Sequence, residues 1–134
     1  MIAVDEEKNV LGMFCNRGKK LENITPKAIK NKWINKITPR NPEQVCLVNA
    51  LYSSATILYA GGPQGAGKSY LLNNYALSQL EKGEIRKIIY IPNNAYVKDS
   101  MELGFLPGSS LEKITPLIGP LIDLIGMDEV NRML

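Results

Sequence analysis

One eight-residue motif constrains the fold of this chain more than any other part of its sequence. Residues 62–69 read Gly-Pro-Gln-Gly-Ala-Gly-Lys-Ser, a complete G-x-x-x-x-G-K-[ST] match. Glycines let the backbone turn so that successive N–H groups point at one anion, and a helix that follows adds the positive end of its dipole. The motif therefore predicts a phosphate-binding loop between a strand and a helix.

The residues on both sides of the motif fit that order. The apolar run 56–60 is typical of a buried parallel strand. Downstream, apolar residues recur at helical spacing as far as Leu80, and Gly83 favours the end of a helix there. A second strand is predicted over 86–91, where Pro92 ends it. Two strands joined through a helix predict a right-handed βαβ unit.

Two side chains of the motif have predicted ligand roles. Lys68 is expected to reach the β- and γ-phosphates of a nucleotide. The Ser69 hydroxyl is expected to coordinate Mg²⁺.

Length and composition indicate a single domain. The chain has 134 residues, of which 45% are hydrophobic and 22% charged. Because no apolar run approaches the ~18 residues of a membrane span and the first residues are acidic, a cytoplasmic location is predicted. The sequence has no histidine, and Cys15 and Cys46 are isolated. Zinc sites and histidine-based acid–base catalysis are therefore excluded, and both cysteines are expected to be reduced.

Positive charge is concentrated in the amino-terminal part. Residues 1–40 contain nine Lys or Arg and four Asp or Glu. This basic arm predicts either a contact with nucleic acid or a solvated polar face, and the two interpretations stay open.

Local signals predict three elements ahead of the motif. Short strand content is predicted near 10–14, and a short basic helix is predicted to begin at Thr25-Pro26 and to carry Ile29, Trp33 and Ile34. A further helix is predicted over 42–52, with Asn41 as its N-cap, Pro42 at its first position and Gln44 at its third.

Several segments together resemble the PhoH family of P-loop ATPases, which has a RecA-like core. The likeness covers roughly residues 37–125. Its entry segment is 37–44, Ile-Thr-Pro-Arg-Asn-Pro-Glu-Gln, and its most family-specific stretch is 102–108, Glu-Leu-Gly-Phe-Leu-Pro-Gly. That stretch is followed by Glu112, Lys113, Ile114, Pro116, Pro120 and Asp123. The sequence departs from the family pattern at Ile91, where an arginine is usual.

The resemblance implies an α/β fold with a parallel RecA-like sheet. It divides the chain into a basic amino-terminal segment, 1–36, and a partial P-loop domain, 37–134. It implies that ATP and Mg²⁺ are the cofactors and that Gln44 reads the adenine edge, although a purely structural role at the helix start stays open. The predicted nucleotide-binding residues are Gln44, Gly62, Pro63, Gln64, Gly65, Ala66, Gly67, Lys68, Ser69 and Tyr70.

The family role implied by the resemblance is ATP hydrolysis coupled to RNA or other nucleic acid, in a bacterial or phage setting. A non-catalytic nucleotide- or nucleic-acid-binding module is the alternative. A metabolite kinase is disfavoured because only two arginines, Arg86 and Arg132, follow the motif, which is too few for an arginine-rich lid over a second substrate. The family's acidic and arginine elements would lie beyond residue 134, so the sheet is predicted to be incomplete and to self-associate or bind a complementing fragment.

One segment offers a candidate for the missing carboxylate. Residues 124–129 read Leu-Ile-Gly-Met-Asp-Glu, which is similar to an apolar strand that ends in a Mg²⁺-binding and water-activating pair. Gly126 interrupts such a strand, and Asp128 suits the start of a helix. The helical interpretation is favoured.

Overall fold

The computed structural model describes residues 1–16, 18, 20–91 and 118–133 as a mixed α/β chain. Within those ranges the strands are β1 Ile2–Val4, β2 Val10–Asn16, β3 Leu21–Asn23, β4 Ile29–Asn31 and β5 Asn35–Ile37. The helices are α1 Pro42–Leu51, α2 Lys68–Glu81, α3 Gly119–Ile125 and α4 Met127–Met133. None of these helices has the length and apolarity needed to cross a membrane.

The amino-terminal arm forms a small antiparallel sheet. Its strand order is β1-β2-β3, with Ile2 opposite Met13 and Cys15 opposite Glu22. The amino-terminal ammonium group of Met1 donates to the carbonyl oxygen of Phe14 over 2.8 Å. The strand predicted near 10–14 is thus confirmed, and it has a partner on each side.

The helix predicted from Thr25-Pro26 is wrong, because residues 29–37 form the β4–β5 hairpin. Its register pairs Ile29 with Ile37, and Asn35 takes a positive φ of 66° at the end of the turn. Asn31 decides the conformation: its Oδ1 accepts from the backbone N–H groups of Trp33 and Ile34. A side chain that bonds the backbone locally competes with a helix in this way.

The two helices on either side of the motif were predicted correctly. Asn41 caps α1, and its Oδ1 accepts from the backbone N–H of Gln44 over 2.9 Å. After the carboxyl end of α2, Gly83 has a φ of 73°, and its backbone N–H donates to the carbonyl of Leu80. The backbone N–H of Glu84 donates to the carbonyl of Gln79, which completes a Schellman ending.

The core lies where the hairpin and α1 pack on α2. It consists of the buried residues Ile29, Ile37, Val48 and Leu71. A buried polar contact anchors the hairpin to α2. Nδ2 of Asn31 donates to Oδ1 of Asn74 over 3.0 Å and to the backbone carbonyl of Asn74 over 3.3 Å. Because α2 begins at the end of the glycine motif, this contact fixes the hairpin relative to the motif.

The parallel sheet predicted from the sequence is not present in the described residues, whose sheets are antiparallel. Segments 56–60 and 86–91 have no strand partner there. Several of their apolar side chains are almost fully exposed: Ile57 is 89% exposed, Tyr59 92% and Ile91 85%. Strands of a parallel sheet are normally covered on both faces, and a strand without a neighbour leaves its backbone hydrogen-bonding groups unpaired.

Some predictions fall partly or wholly outside the described residues. These are the turn that the glycines and proline of 104–108 predict, the helix start that Ser109 and Glu112 predict, and the family-specific stretch 102–108. Pro120, which the sequence predicts to interrupt a helix, lies in the first turn of α3, where proline is tolerated.

Candidate functional site

The glycine loop lies ahead of α2 in a conformation that only glycine adopts easily. Gly65 has a φ of 80°, and Gly67, the N-cap residue of α2, has a φ of 84°. No side chain among the described residues caps the first turn of α2, and no acidic residue lies in that turn. The positive end of the helix dipole is therefore uncompensated where the loop meets the helix.

The loop leaves backbone donors available. Ala66 N–H donates to the carbonyl of Pro63 over a long 3.4 Å. Within the described part of the chain, the N–H groups of Gly65 and Gly67 have no acceptor. Unpaired backbone donors beside the amino-terminal end of a helix suit an anion such as phosphate.

Lys68 folds back over its own loop. Its Nζ donates to the carbonyl of Gly62 over 2.9 Å and to that of Pro63 over 2.7 Å. These two carbonyls hold the ammonium group at the mouth of the loop, where an incoming phosphate oxygen could replace them as acceptors. The neighbouring Ser69 is exposed, and its hydroxyl has no hydrogen bond to the described residues.

Gln44 joins α1 to the loop with both ends of its side-chain amide. Its Nε2 donates to the carbonyl of Ala66 over 3.2 Å, and its Oε1 accepts from the backbone N–H of Arg40 over 2.9 Å. A methyl group added at Gly67 would lie 3.0 Å from Nε2. The structural role of Gln44 at the start of α1 is thereby confirmed, and its contact with an adenine edge stays a prediction.

Two cavities flank the loop, and Gln44 stands in the wall between them. The first, here called the lysine cavity, has a volume of about 540 Å³. Its lining includes Lys68, Glu43, Leu47, Leu58 and Ala60. Much of it is the apolar space between α1 and the unpaired segment 56–60, so part of this cavity is an uncovered core and not a ligand site.

The second, here called the tyrosine cavity, has a volume of about 520 Å³ and a more polar lining. It is bounded by Tyr70, by Gly65 and Gly67 of the loop, and by Lys36 and Arg40. Gln44 and Thr38 complete its polar wall. No carboxylate contributes to it among the described residues. An aromatic ring, two cations and a glycine backbone suit a nucleotide better than an apolar ligand.

The predicted binding residues divide between these cavities. Five line the lysine cavity: Gln44, Gly62, Pro63, Ala66 and Lys68. Four line the tyrosine cavity: Gln44, Gly65, Gly67 and Tyr70. Gln64 and Ser69 lie in the loop and the first helical turn outside both linings. Lys36 was not predicted as a site residue. The sequence predicted a helix in this region, whereas Lys36 lies on β5 of the hairpin and lines the tyrosine cavity.

The acidic pair near the carboxyl end lies on a helix. Asp128 and Glu129 occupy the first turn of α4. The carboxylate of Glu129 is engaged with Arg132 over 3.0 Å and with Lys32 over 3.6 Å. The strand-like interpretation of 124–129 is therefore wrong, and the helical one is confirmed. Gly126, with a φ of 80°, separates α3 from α4.

Comparison with known proteins gives one consistent family. The profile of the family described as "PhoH-like protein" matches residues 36–133. A PhoH-like protein of Bacillus subtilis (strain 168) is 37% identical over 82 residues, 58% of this chain and 25% of the relative. One of Mycobacterium leprae (strain TN) is 35% identical over 89 residues, 66% of this chain and 25% of the relative.

A PhoH-like protein of Mycobacterium tuberculosis (strain ATCC 25618 / H37Rv) is 36% identical over 89 residues, 66% of this chain and 24% of the relative. The matched part of this chain thus spans about a quarter of the length of these curated relatives. No solved structure matches the chain significantly.

Proposed function

Since the chain belongs to the PhoH-like protein family, we propose that it binds ATP together with Mg²⁺ at the glycine loop. The observation that carries this proposal is the position of Lys68 at the mouth of a loop in which the N–H groups of Gly65 and Gly67 have no acceptor among the described residues. On binding, Nζ exchanges the carbonyls of Gly62 and Pro63 for phosphate oxygens, and the exposed Ser69 hydroxyl would hold Mg²⁺. The ion neutralises charge on the phosphates when it is bound.

The base of the nucleotide is assigned to the tyrosine cavity. Tyr70 is 44% exposed and lines this cavity, and the face of an aromatic ring can stack on a base. The Gln44 amide forms the back of the same cavity and can offer a donor and an acceptor to an adenine edge. Its Nε2 and its Oε1 each make one hydrogen bond, to Ala66 and Arg40, so that one further donor and one further acceptor position are left for a base.

Isothermal titration calorimetry with ATP and Mg²⁺ tests this site. We expect wild-type protein to bind and Lys68→Ala to lose at least about tenfold in affinity, because a charge-assisted contact contributes roughly 1.5–3 kcal/mol. Lys82→Ala is the matched control, since it removes the same charge at the other end of α2. Equal affinities of wild type and Lys68→Ala would refute the proposal.

The family resemblance implies that ATP hydrolysis is coupled to RNA. We propose this role for the longer family members more than for this chain alone. In the described residues, Glu43 is the carboxylate that lines a cavity together with Lys68, and Glu129 is held by Lys32 and Arg132. Turnover needs a carboxylate to orient water and a cation against the γ-phosphate. We therefore expect slow phosphate release, with or without RNA. Rapid release that Lys68→Ala abolishes would contradict this.

We further propose that a partner covers segments 56–60 and 86–91. Their exposed isoleucine and tyrosine side chains would be buried if another strand, from a second copy or a complementing fragment, paired with them. Analytical ultracentrifugation of wild type and Ile57→Lys measures this, and a monomer at all concentrations would argue against a second copy. The cytoplasmic and phage or bacterial setting and the division after residue 36 stay predictions.

A further inference from the structure

The tyrosine cavity has more positive charge than a simple nucleoside triphosphate can use. If the phosphate chain of ATP lies on the glycine loop and its base on Tyr70, all its anionic groups are already engaged at the loop. The ribose then lies between Gly65 and Tyr70, along the wall to which Lys36 and Arg40 contribute. No carboxylate among the described residues of that wall offsets these two cations.

Lys36 is held in this position at a cost in stability. In the hairpin register it lies directly opposite Lys30, and like charges across an antiparallel pair destabilise it. The acids near the hairpin are engaged elsewhere: Glu81 accepts from the backbone N–H of Lys32, and Glu129 pairs with the ammonium group of Lys32. Among the described residues, neither Lys30 nor Lys36 has an ion-pair partner.

The fold also fixes the distance between Lys36 and the loop. The hairpin is tied to α2 through the buried contact of Asn31 with Asn74, and α2 begins at Lys68. The neighbouring Ile37 is buried in the core. The backbone that carries Lys36 is therefore anchored to the same helix that presents the loop.

From this arrangement we propose that the site prefers a nucleoside 5′-triphosphate that carries a further phosphate on its ribose, with that phosphate between Lys36 and Arg40. Two sources share this chemistry, a free ribose-phosphorylated nucleotide and the 5′-triphosphate end of an RNA. The inference rests on the proposed function, since it places the triphosphate on the glycine loop.

Three probes test it by calorimetry at fixed, low ionic strength: ATP, 3′-phosphorylated ATP and the 5′-triphosphorylated dinucleotide pppApA. We expect at least one of the phosphorylated probes to bind wild type on the order of three- to fivefold more tightly than ATP, as befits an exposed charge contact. Tighter binding of 3′-phosphorylated ATP identifies the free nucleotide as the source, and tighter binding of pppApA identifies the RNA end.

The hairpin supplies a matched pair of variants. Lys36→Gln should abolish the preference, measured as the ratio of the affinity for the phosphorylated probe to the affinity for ATP, whereas Lys30→Gln removes the same charge from the same hairpin face outside the cavity and should keep that ratio. Arg40→Gln should reduce it. Both lysines are exposed, so melting temperatures should show that the variants fold.

Several results would overturn the inference and separate it from the proposed function. If ATP binds in a Lys68-dependent manner but all three probes bind equally, the ribose preference is wrong and the ATP site stands. If Lys36→Gln weakens ATP itself as much as the other probes, these cations serve the triphosphate and the inference fails. If no probe binds, the proposed function fails, and this inference fails with it.

Discussion

The two halves of the glycine-loop region differ in how they bury apolar side chains. On the helical side, Leu71 of α2 is 2% exposed and belongs to the same core cluster as Val48 of α1 and Ile29 of the hairpin. On the strand side, Ile57 and Ile91 are almost fully exposed. The helical side completes its core with residues that lie between Ile29 and Leu71, whereas the strand side needs neighbours that the described residues do not supply.

This difference shows which part of the site is self-sufficient. The loop conformation depends on α2, on α1 through Gln44, and on the hairpin through Asn31, and all three are packed. Segment 56–60, ahead of the loop, has no strand partner among the described residues. A phosphate cradle can therefore be preorganised by the helical side alone.

The largest effect is expected from a substitution in the core of the helical side. Leu71→Ala removes a buried side chain and should lower the free energy of unfolding by about 2–5 kcal/mol. Ile57→Ala removes an exposed one and should change it by less than about 0.5 kcal/mol. Urea denaturation at low protein concentration gives both values. A loss at Ile57 as large as at Leu71 would show that the strand side is already covered.

An intermediate effect is expected in the loop itself. Gly67→Ala and Gly83→Ala both place a side chain at positive φ, which costs about 1–2 kcal/mol in each case. At Gly67 the new methyl group also lies 3.0 Å from Nε2 of Gln44, whereas at Gly83 it meets nothing within 4 Å. Gly67→Ala should therefore be the more destabilising in thermal melts, and the excess should disappear when Gln44→Ala is combined with it.

The smallest effect concerns the pH dependence of stability on the helical side, through Tyr52. Burial raises the pKa of Tyr52, and the neighbouring Tyr75 ring, 5.1 Å away in an edge-to-face contact, adds to the shift. A raised pKa means that the folded protein holds the proton more tightly than the unfolded chain. Stability is then fully present below pH ~10 and falls as the pH rises through the folded-state pKa.

Melting temperatures between pH 9 and pH 11 check this, with Tyr52→Phe as the comparison. The phenylalanine variant lacks the titrating hydroxyl and should lose less stability over that interval. The informative quantity is the difference in stability loss between the two proteins, because contributions that both proteins share cancel in it. Identical alkaline losses would show that Tyr52 is not desolvated as described.

The local parts of this architecture could be predicted from sequence because their causes are local. Asn41 ahead of Pro42 defines the start of α1, and Gly83 defines the end of α2, each through bonds to residues three to five positions away. The loop motif itself combines spacing with a following helix, so Lys68 and the glycines could be assigned to the site directly.

The remaining parts depend on contacts that are distant in sequence. Ile29, Trp33 and Ile34 fit a helical spacing equally well, and the hairpin is anchored by Asn31 bonding to Asn74, 43 residues away. The presence of Lys36 in the tyrosine cavity follows from that hairpin and was therefore missed. A parallel strand such as 56–60 is decided by its neighbours more than by its own residues, which no local pattern can supply.

We expect the helical side alone to present a working phosphate cradle. A ¹⁵N NMR titration of the chain with ADP and Mg²⁺ tests this, because it observes the backbone donor groups themselves. The amide signals of Gly65, Gly67 and Lys68 should shift strongly, with little change at Gly83 beyond the far end of α2. If the signals of these loop amides do not move while ligand is bound, or move no more than that of Gly83, the glycine loop is not the phosphate site.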